Sequence, residues 1–212
     1  MIPYENIIEK IQSKYNRLIR TSDWPIASVL QTSIDPYYST IEYEMAKSLI
    51  PHIQGGANIA ILGSWFSITF LETFYTIKQK INSIQLFDYD KTVTMVGKDI
   101  SNMIDMNIRY LRKNVIFDDI SNDIANCNIF IIPYINMLLP FDELVPDASK
   151  GNLISLAGSN DAFLMRYGNP IFNVDDLRQQ TTFIEELYSS EKNMRFKDRR
   201  LSFKISILTA KI

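Results

Sequence analysis

The sequence predicts an α/β protein, a Rossmann-like three-layer αβα sandwich built on a mainly parallel seven-stranded sheet with an antiparallel C-terminal strand. Two observations lead to this prediction. From residue 58 onward, short apolar runs alternate with helix-like stretches, which is the order expected of βαβ units. The tail "RLSFKISILTA" instead alternates apolar and polar residues, as a strand covered on one face does.

The predicted parallel strands are runs that are apolar at nearly every position, which suits strands with helices packed on both faces. These runs are residues 59–62, 83–87, 114–117, 129–132 and 152–156. The stretches between them predict crossover helices at roughly 68–80, 91–111 and 141–147.

The part of the chain before these runs is predicted to be helical. Apolar residues within 6–20 recur at the spacing of one helix face, and a second helix is predicted at about 40–50. We therefore divide the chain into an N-terminal helical segment, residues 1–54, packed on a Rossmann-like domain formed by residues 55–212.

Composition limits the classes of function. The chain has 212 residues, of which 46% are hydrophobic, enough for one globular unit with a buried core. Its net charge of -2 gives no global attraction to nucleic acid or to an anionic membrane, and no apolar run is long enough to span a bilayer. One cysteine, Cys127, and one histidine, His52, cannot form an internal disulfide or the usual metal ligand sets. We predict a soluble, cytoplasmic, metal-free protein without membrane contact.

The residues that follow the predicted strands are the candidate site, because ligands of open parallel sheets bind outside the carboxyl ends of the strands. After the first strand, Gly63 permits a tight turn, and Ser64 or Ser67 could cap the next helix. The N-terminal amides of that helix favour a carboxylate or a phosphate. After the second strand, Asp88 and Asp90 could accept hydrogen bonds from a ribose diol.

An adenosine ligand without phosphates fits this pattern. After the third predicted strand, Asp118 or Asp119 could meet the exocyclic amine of adenine. The G-x-G-x-x-G fingerprint of dinucleotide-binding proteins and the P-loop pattern are both absent, which disfavours a pyrophosphate site and an NAD-dependent enzyme. S-adenosylmethionine is one adenosine compound that needs neither pattern.

Five segments resemble, in order, the motifs of class I S-adenosylmethionine-dependent methyltransferases: "IAILGSWFSITFLETF", "SIQLFDYDKT", "NVIFDDIS", "IFIIPYINML" and "GNLISLAGSND". They are most similar to small viral and phage proteins of that family. The resemblance covers about residues 58–212 and the preceding "YYSTIEYE". It implies S-adenosylmethionine as cofactor and the transfer of its methyl group to an acceptor that the sequence does not identify.

The resemblance also implies roles for individual residues. Its cofactor-binding residues follow the first four predicted strands: Gly63, Ser64 and Trp65 at the methionine end, Asp88 at the ribose, Asp119 and Ile120 at the adenine, and Pro133 near the methyl group. Two residues after the fourth strand, Tyr134 and Asn136, are the candidates for a catalytic role.

The chain departs from the family pattern at two motifs. Ser67 stands where the family usually has its second glycine. Members that methylate nucleic-acid amines resemble a motif of Asp, Asn or Ser, two prolines and an aromatic residue, whereas this chain has "IIPY" at 131–134 and lacks the polar acceptor. Two hypotheses follow: an active methyltransferase of another kind, and a catalytically inactive protein of the same fold that acts through a protein partner.

Each candidate also has a structural interpretation. Acidic residues after strands commonly cap helices, and aromatic residues such as Trp65, Phe66 and Tyr134 commonly pack in the core. Basic clusters at 109–113 and at 195–200, the latter with Phe196 and Lys204, suit either solvated faces or a local contact with nucleic acid. His52 and Cys127 are given no catalytic role, and Cys127 is expected to be buried.

Overall fold

The computed structural model describes residues 36–135, 138, 140–145, 152–160, 171–195 and 202–212. The helix predicted within residues 6–20 lies outside these ranges. The second predicted helix corresponds to α1 (Pro36–Leu49), which begins earlier than the sequence pattern indicates and continues into a 3₁₀ turn at Ile50–His52.

The described strands form one seven-stranded sheet. Their bounds are β1 Ala57–Leu62, β2 Ile81–Asp88, β3 Ile108–Arg112, β4 Ile129–Ile132, β5 Leu153–Ser159, β6 Glu185–Arg195 and β7 Ser202–Lys211. The order in the sheet is β3-β2-β1-β4-β5-β7-β6. Strands β1 to β5 pair in parallel, whereas β7 is antiparallel to both of its neighbours, β5 and β6. The predicted fold class, including the antiparallel C-terminal strand, is confirmed.

The strand order reverses at β1. The chain moves outward from β1 through β2 to β3 and then returns to place β4 on the other side of β1. In the register, Leu62 on β1 lies opposite Phe87 on β2, and Ile61 lies opposite Ile131 on β4. The loops that follow β1 and β4 therefore flank the point where open α/β sheets bind their ligands.

Helices cover both faces of the sheet. After α1 come α2 Ile68–Tyr75, α3 Lys91–Met103, α4 Ser121–Ile124, α5 Phe141–Leu144 and α6 Val174–Arg178. One buried cluster joins α1, α2 and α3 to the face of β1 that carries Ile59 and Ile61, and a second joins α4, α5 and α6 to the face that carries Ala60 and Leu62. The side chains of β1 thus alternate between two apolar cores, which explains why this run is apolar at successive positions.

The predicted third strand, residues 114–117, is wrong, and the predicted helix at 91–111 is too long. Helix α3 ends at Met103, and the third strand is β3, at Ile108–Arg112. Residues 114–117 form a turn instead, because the amides of Phe117 and Asp118 both donate to the Asn114 carbonyl oxygen. Phe117 is 83% exposed and does not contribute to the core.

The first basic cluster, residues 109–113, lies largely in strand β3 and continues just beyond its end. Tyr110 is buried, while Arg109 and Arg112 are exposed on either side of it. In the second cluster, residues 196–200 lie outside the described ranges. Lys204 forms an ion pair with Glu191 across the β6–β7 hairpin, with Nζ 3.0 Å from Oε2.

Candidate functional site

The loop between β1 and α2 has a left-handed backbone at three alternate positions. The φ angles are 66° at Gly63, 46° at Trp65 and 50° at Ser67. Glycine adopts this conformation freely, whereas each other residue type costs about 1–2 kcal/mol there. The loop therefore has the backbone course of a glycine-rich turn although only its first residue is glycine.

Asp88, the last residue of β2, binds this loop to the neighbouring strand. Its Oδ2 accepts from the Trp65 amide at 2.9 Å and its Oδ1 from the Asp90 amide at 2.9 Å, while the Ser64 amide donates to the Phe87 carbonyl at 2.9 Å. Burial raises the pKa of Asp88, and the bonds from the Asp90 and Trp65 amides oppose that rise. The Tyr89 amide is a third backbone donor to Asp88, and because a carboxylate has about four lone-pair positions, Asp88 has capacity for a further hydrogen bond.

A second contact, made by strand β3, holds the middle of the loop between β1 and α2 in place. The Tyr110 hydroxyl donates to the Phe66 carbonyl oxygen at 2.7 Å, and both side chains are buried. Gly97 on α3 packs directly on the Tyr110 ring, since a Cβ at that position would lie 2.3 Å from the ring carbons. The Trp65 ring is half-buried and meets Phe66 edge to face, with centroids 5.5 Å apart. Phe66 thus serves as a core residue, as its structural interpretation predicted.

Glu42 on α1 caps helix α2, a role that the sequence analysis missed. Its Oε2 accepts from the Thr69 amide at 3.0 Å and from the Phe70 amide at 3.3 Å. Ser67 occupies the N-cap position but turns its hydroxyl to the Ser64 carbonyl oxygen, at 2.6 Å. Glu42 is only 1% exposed, and its burial raises its pKa to about 8.

One signal in the sequence could have revealed Glu42. It precedes Met45 by three residues and Ala46 by four, and both are buried. Residues at these spacings share a helix face, so the carboxylate had to point into the interior and find donors there.

The loop after β4 meets the loop after β1. Pro133 is buried, and Tyr134 is half-buried against the core beneath α1, α2 and α3. Leu138 covers Gly63, because a Cβ at Gly63 would lie 3.3 Å from Leu138 Cδ1. Asn136, the other catalytic candidate, lies outside the described residues.

The acidic pair after β3 makes local contacts. Asp118 Oδ2 accepts from the Asn114 amide at 2.7 Å, and Asp119 Oδ1 accepts from the Ser121 amide at 2.9 Å. The Ser121 amide and hydroxyl lower the pKa of Asp119, which is exposed. Ile120 is buried in the second core. Contact of Asp119 and Ile120 with adenine stays a prediction.

A cavity of about 630 Å³ lies at the opposite, amino edge of the sheet. It is lined by residues from the starts of β1, β4 and β5 and from the end of β7, among them Ala57, Ile129, Leu153 and Lys211, together with His52. The candidate site nevertheless belongs to the carboxyl edge, because the reversal of strand order and the Asp88 contacts are there.

Within the described ranges, no three His, Cys, Asp or Glu side chains are grouped so that they could hold a metal ion. No helix there has the length and hydropathy needed to cross a membrane. Cys127 is buried, as predicted, and burial raises the pKa of its thiol to about 11.

Comparison with solved structures assigns the fold. The chain has a class I methyltransferase-like fold, which it shares with solved structures of methyltransferases. The N-methyltransferase NodS from Bradyrhizobium japonicum WM9, in complex with S-adenosylhomocysteine, has a TM-score of 0.60 and 10% identity, over 94% of this chain and 98% of NodS. A precorrin-6y C5,15-methyltransferase from Geobacter metallireducens GS-15 has a TM-score of 0.52 and 11% identity, over 84% and 88% of the two chains. No family model matches the sequence, and no curated protein is significantly similar to it.

Proposed function

We propose that this protein binds S-adenosylmethionine at the carboxyl edge of the sheet and transfers its methyl group to an acceptor that is still to be identified. Asp88 is the residue that supports this proposal most directly. It joins the end of β2 to the left-handed loop after β1, beside the reversal of strand order. NodS, which has this fold, was crystallised with S-adenosylhomocysteine.

The residues at this edge fit the adenosine part of such a cofactor. Gly63 has no side chain, and the nearest side-chain atoms to the position that a Cβ would take there belong to Leu138. Asp88 retains a lone pair with which it could accept from a ribose hydroxyl. The Trp65 side chain is half-buried in the loop after β1, where it would help to exclude water from the bound cofactor.

The residues at the end of β4 would contribute to catalysis by positioning the acceptor against the methyl group. S-adenosylmethionine supplies a methyl group activated by a positively charged sulfur. Ile131 and Ile132 at the end of β4 are buried and apolar, so the strand offers no polar group there to bind a target amine. Pro133 and Tyr134 would instead shape the space in which the acceptor meets the methyl group, with proximity as the source of rate. We also propose that the chain is related to the viral and phage members of this family. Its motifs at Ser67 and at residues 131–134 would then be degenerate forms of the family's.

The second candidate is a catalytically inactive protein of the same fold that binds a protein partner. The packing of Leu138 on Gly63 favours it, because this contact already uses the bare surface at which a cofactor would lie. The partner would bind through the N-terminal segment, residues 1–54, or through the β6–β7 hairpin. Contact with nucleic acid through the basic residues of that hairpin is a weaker variant of this candidate.

Calorimetric titration with S-adenosylmethionine and S-adenosylhomocysteine separates the two candidates. We expect micromolar binding that Asp88→Asn weakens by about 10-fold or more, since a carboxylate to hydroxyl bond is worth about 1.5–3 kcal/mol. Asp142→Asn is the matched control, because Asp142 also accepts from two donors, the Thr181 hydroxyl and the Thr182 amide, away from the site. A folded wild-type protein that binds neither compound would support the second candidate.

A further inference from the structure

Ser67 is buried in a backbone conformation that favours glycine. Its φ and ψ angles are 50° and 33°, in the left-handed region, and the residue is 0% exposed. A residue with a side chain is strained in that region, and such strain persists only where the surrounding structure imposes the conformation. The contacts of Ser67 should therefore explain why a serine is tolerated there.

The Ser67 side chain supplies one of these contacts itself. Its hydroxyl donates to the Ser64 carbonyl oxygen at 2.6 Å and so closes the turn that contains Trp65, the other strained residue of the loop. The Ser67 carbonyl oxygen accepts from the Leu71 amide at 3.0 Å, which is the bond that begins helix α2. A glycine could adopt the same backbone angles, but it has no hydroxyl with which to close the turn.

The Ser67 side chain lies away from the surface of the loop that a ligand would meet. Gly63 and Trp65 are the two residues of the loop that are not buried. Ser67 is fully buried, and its hydroxyl is turned to the backbone of the loop. A ligand at the carboxyl edge of the sheet would therefore contact Gly63 and Trp65 rather than Ser67.

We propose that Ser67 is a positioning residue, which holds the loop after β1 in the conformation that binds the adenosine ligand and does not touch the ligand itself. This inference rests on the proposed binding of S-adenosylmethionine. The bond from the Ser67 hydroxyl offsets the backbone strain, so the binding conformation is populated before a ligand arrives. This raises the apparent affinity, because only the fraction of molecules in the competent conformation can bind.

The test is a calorimetric titration of S-adenosylhomocysteine into the wild type, Ser67→Ala, Ser67→Gly and Ser48→Ala. Ser67→Ala keeps the strain but loses the hydroxyl bond, so we expect its affinity to fall by about 10-fold. Ser67→Gly loses the same bond but also removes the strain, so its affinity should stay within about 3-fold of the wild type. Rescue by glycine would show that the loop conformation, and not the hydroxyl as such, determines binding.

Ser48→Ala is the matched control, because Ser48 is also a buried serine whose hydroxyl donates to the carbonyl oxygen three residues earlier, that of Met45. It lies on α1 and should leave the affinity unchanged. Hydrogen exchange of the Trp65 amide in the unliganded protein is the second measurement, since this amide donates to Asp88 from the same loop. Its exchange should be faster in Ser67→Ala than in Ser48→Ala.

Wild-type affinity in folded Ser67→Ala would overturn the inference, as would equal exchange of the Trp65 amide in the two alanine variants. Affinity more than about 10-fold above that of the wild type in Ser67→Gly would also overturn it, because Ser67 would then obstruct the ligand. These outcomes differ from a failure of the proposed function. In that case neither the wild type nor any variant binds S-adenosylhomocysteine, and the inference fails with the proposed function.

Discussion

The loop after β1 and the loop after β3 are held in place in opposite ways. Residues 63–67 are bound by Asp88 from β2 and Tyr110 from β3, and the helix that follows is capped by Glu42 from α1. The described hydrogen bonds of Asn114, Asp118 and Asp119 lie mostly within residues 113–121, although the Lys113 amide donates to the Asp88 carbonyl oxygen and Ile120 packs in the second core. The conformation of the first loop therefore depends on tertiary packing, whereas that of the second depends mainly on local turn chemistry.

The two loops also differ in backbone strain. Trp65 and Ser67, the two described non-glycine residues with positive φ, both belong to the first loop. Such residues persist where the surrounding structure determines the backbone more strongly than local preference does, and they are frequent at functional sites. The loop after β1 thus combines backbone strain with contacts from other strands. The loop after β3 has no described non-glycine residue with positive φ, which suits a connecting turn.

The largest difference between the loops should appear when one carboxylate is removed from each. Asp88→Ala leaves the Trp65 and Asp90 amides without acceptors and should cost about 2–4 kcal/mol. Asp118→Ala removes one bond to the exposed Asn114 amide and should cost less than about 1 kcal/mol. Urea unfolding of both variants checks the order. Equal losses would mean that the first loop is held no more firmly than the second.

Glu42 should make stability depend on pH. Its pKa is about 8 in the folded protein against an ordinary value of 4.5, so the folded state retains the proton between those values. The contribution is thus full below pH 4.5 and is lost as the pH rises through about 8. Relative to Glu42→Gln, which cannot titrate, the wild type should lose on the order of 3 kcal/mol between about pH 5 and pH 8.5. Parallel stability curves for the two proteins would contradict this assignment.

Tyr110→Phe should have an intermediate effect on the loop after β1. It removes only the bond to the Phe66 carbonyl oxygen and should cost about 1–2 kcal/mol. Binding of S-adenosylhomocysteine should weaken as well, because the middle of the loop is released. Ser48→Ala is the control: it removes a buried hydroxyl bonded to Thr209, between α1 and β7, and should lower stability without changing affinity. A similar loss of affinity in both variants would show that binding follows overall stability.

The smallest effect is expected in the turn after β3. Phe117 is almost fully exposed, so Phe117→Ser should change the free energy of unfolding by no more than about 0.5 kcal/mol. Thermal unfolding with circular dichroism is a sufficient measurement. A loss above about 2 kcal/mol would mean that this ring contributes to packing and that the turn is not held locally.

Much of the sheet could be predicted because its central strands are apolar on both faces. The runs at 59–62, 83–87 and 129–132 all lie within β1, β2 and β4. Strand β3 is not evident in the sequence because Arg109 and Arg112 interrupt its apolar residues, so the pattern predicts the end of a helix there instead. Strand β6 was missed because it lies at the edge of the described sheet and its sequence, "EELYSSEKNMR", carries few apolar residues.

The position of the candidate site could be predicted, but its contacts could not. The expectation that Gly63 and Asp88 lie close together followed from the parallel order of β1 and β2, and Trp65 links them in the structure. Glu42 is 27 residues away from Thr69 along the chain, and Tyr110 is 44 away from Phe66. Contacts of this kind depend on how helices and strands pack, which local sequence patterns do not encode.

Strand β7 is the last described strand in the chain, yet it lies between β5 and β6 in the sheet. During synthesis, β6 therefore emerges from the ribosome before the strand that joins it to the rest of the sheet. Until β7 follows, the edge of β5 from Leu153 to Ser159 has its backbone groups unpaired on one side. An unpaired edge of this kind can pair with another chain, and strand β7 removes that edge once it has paired with β5.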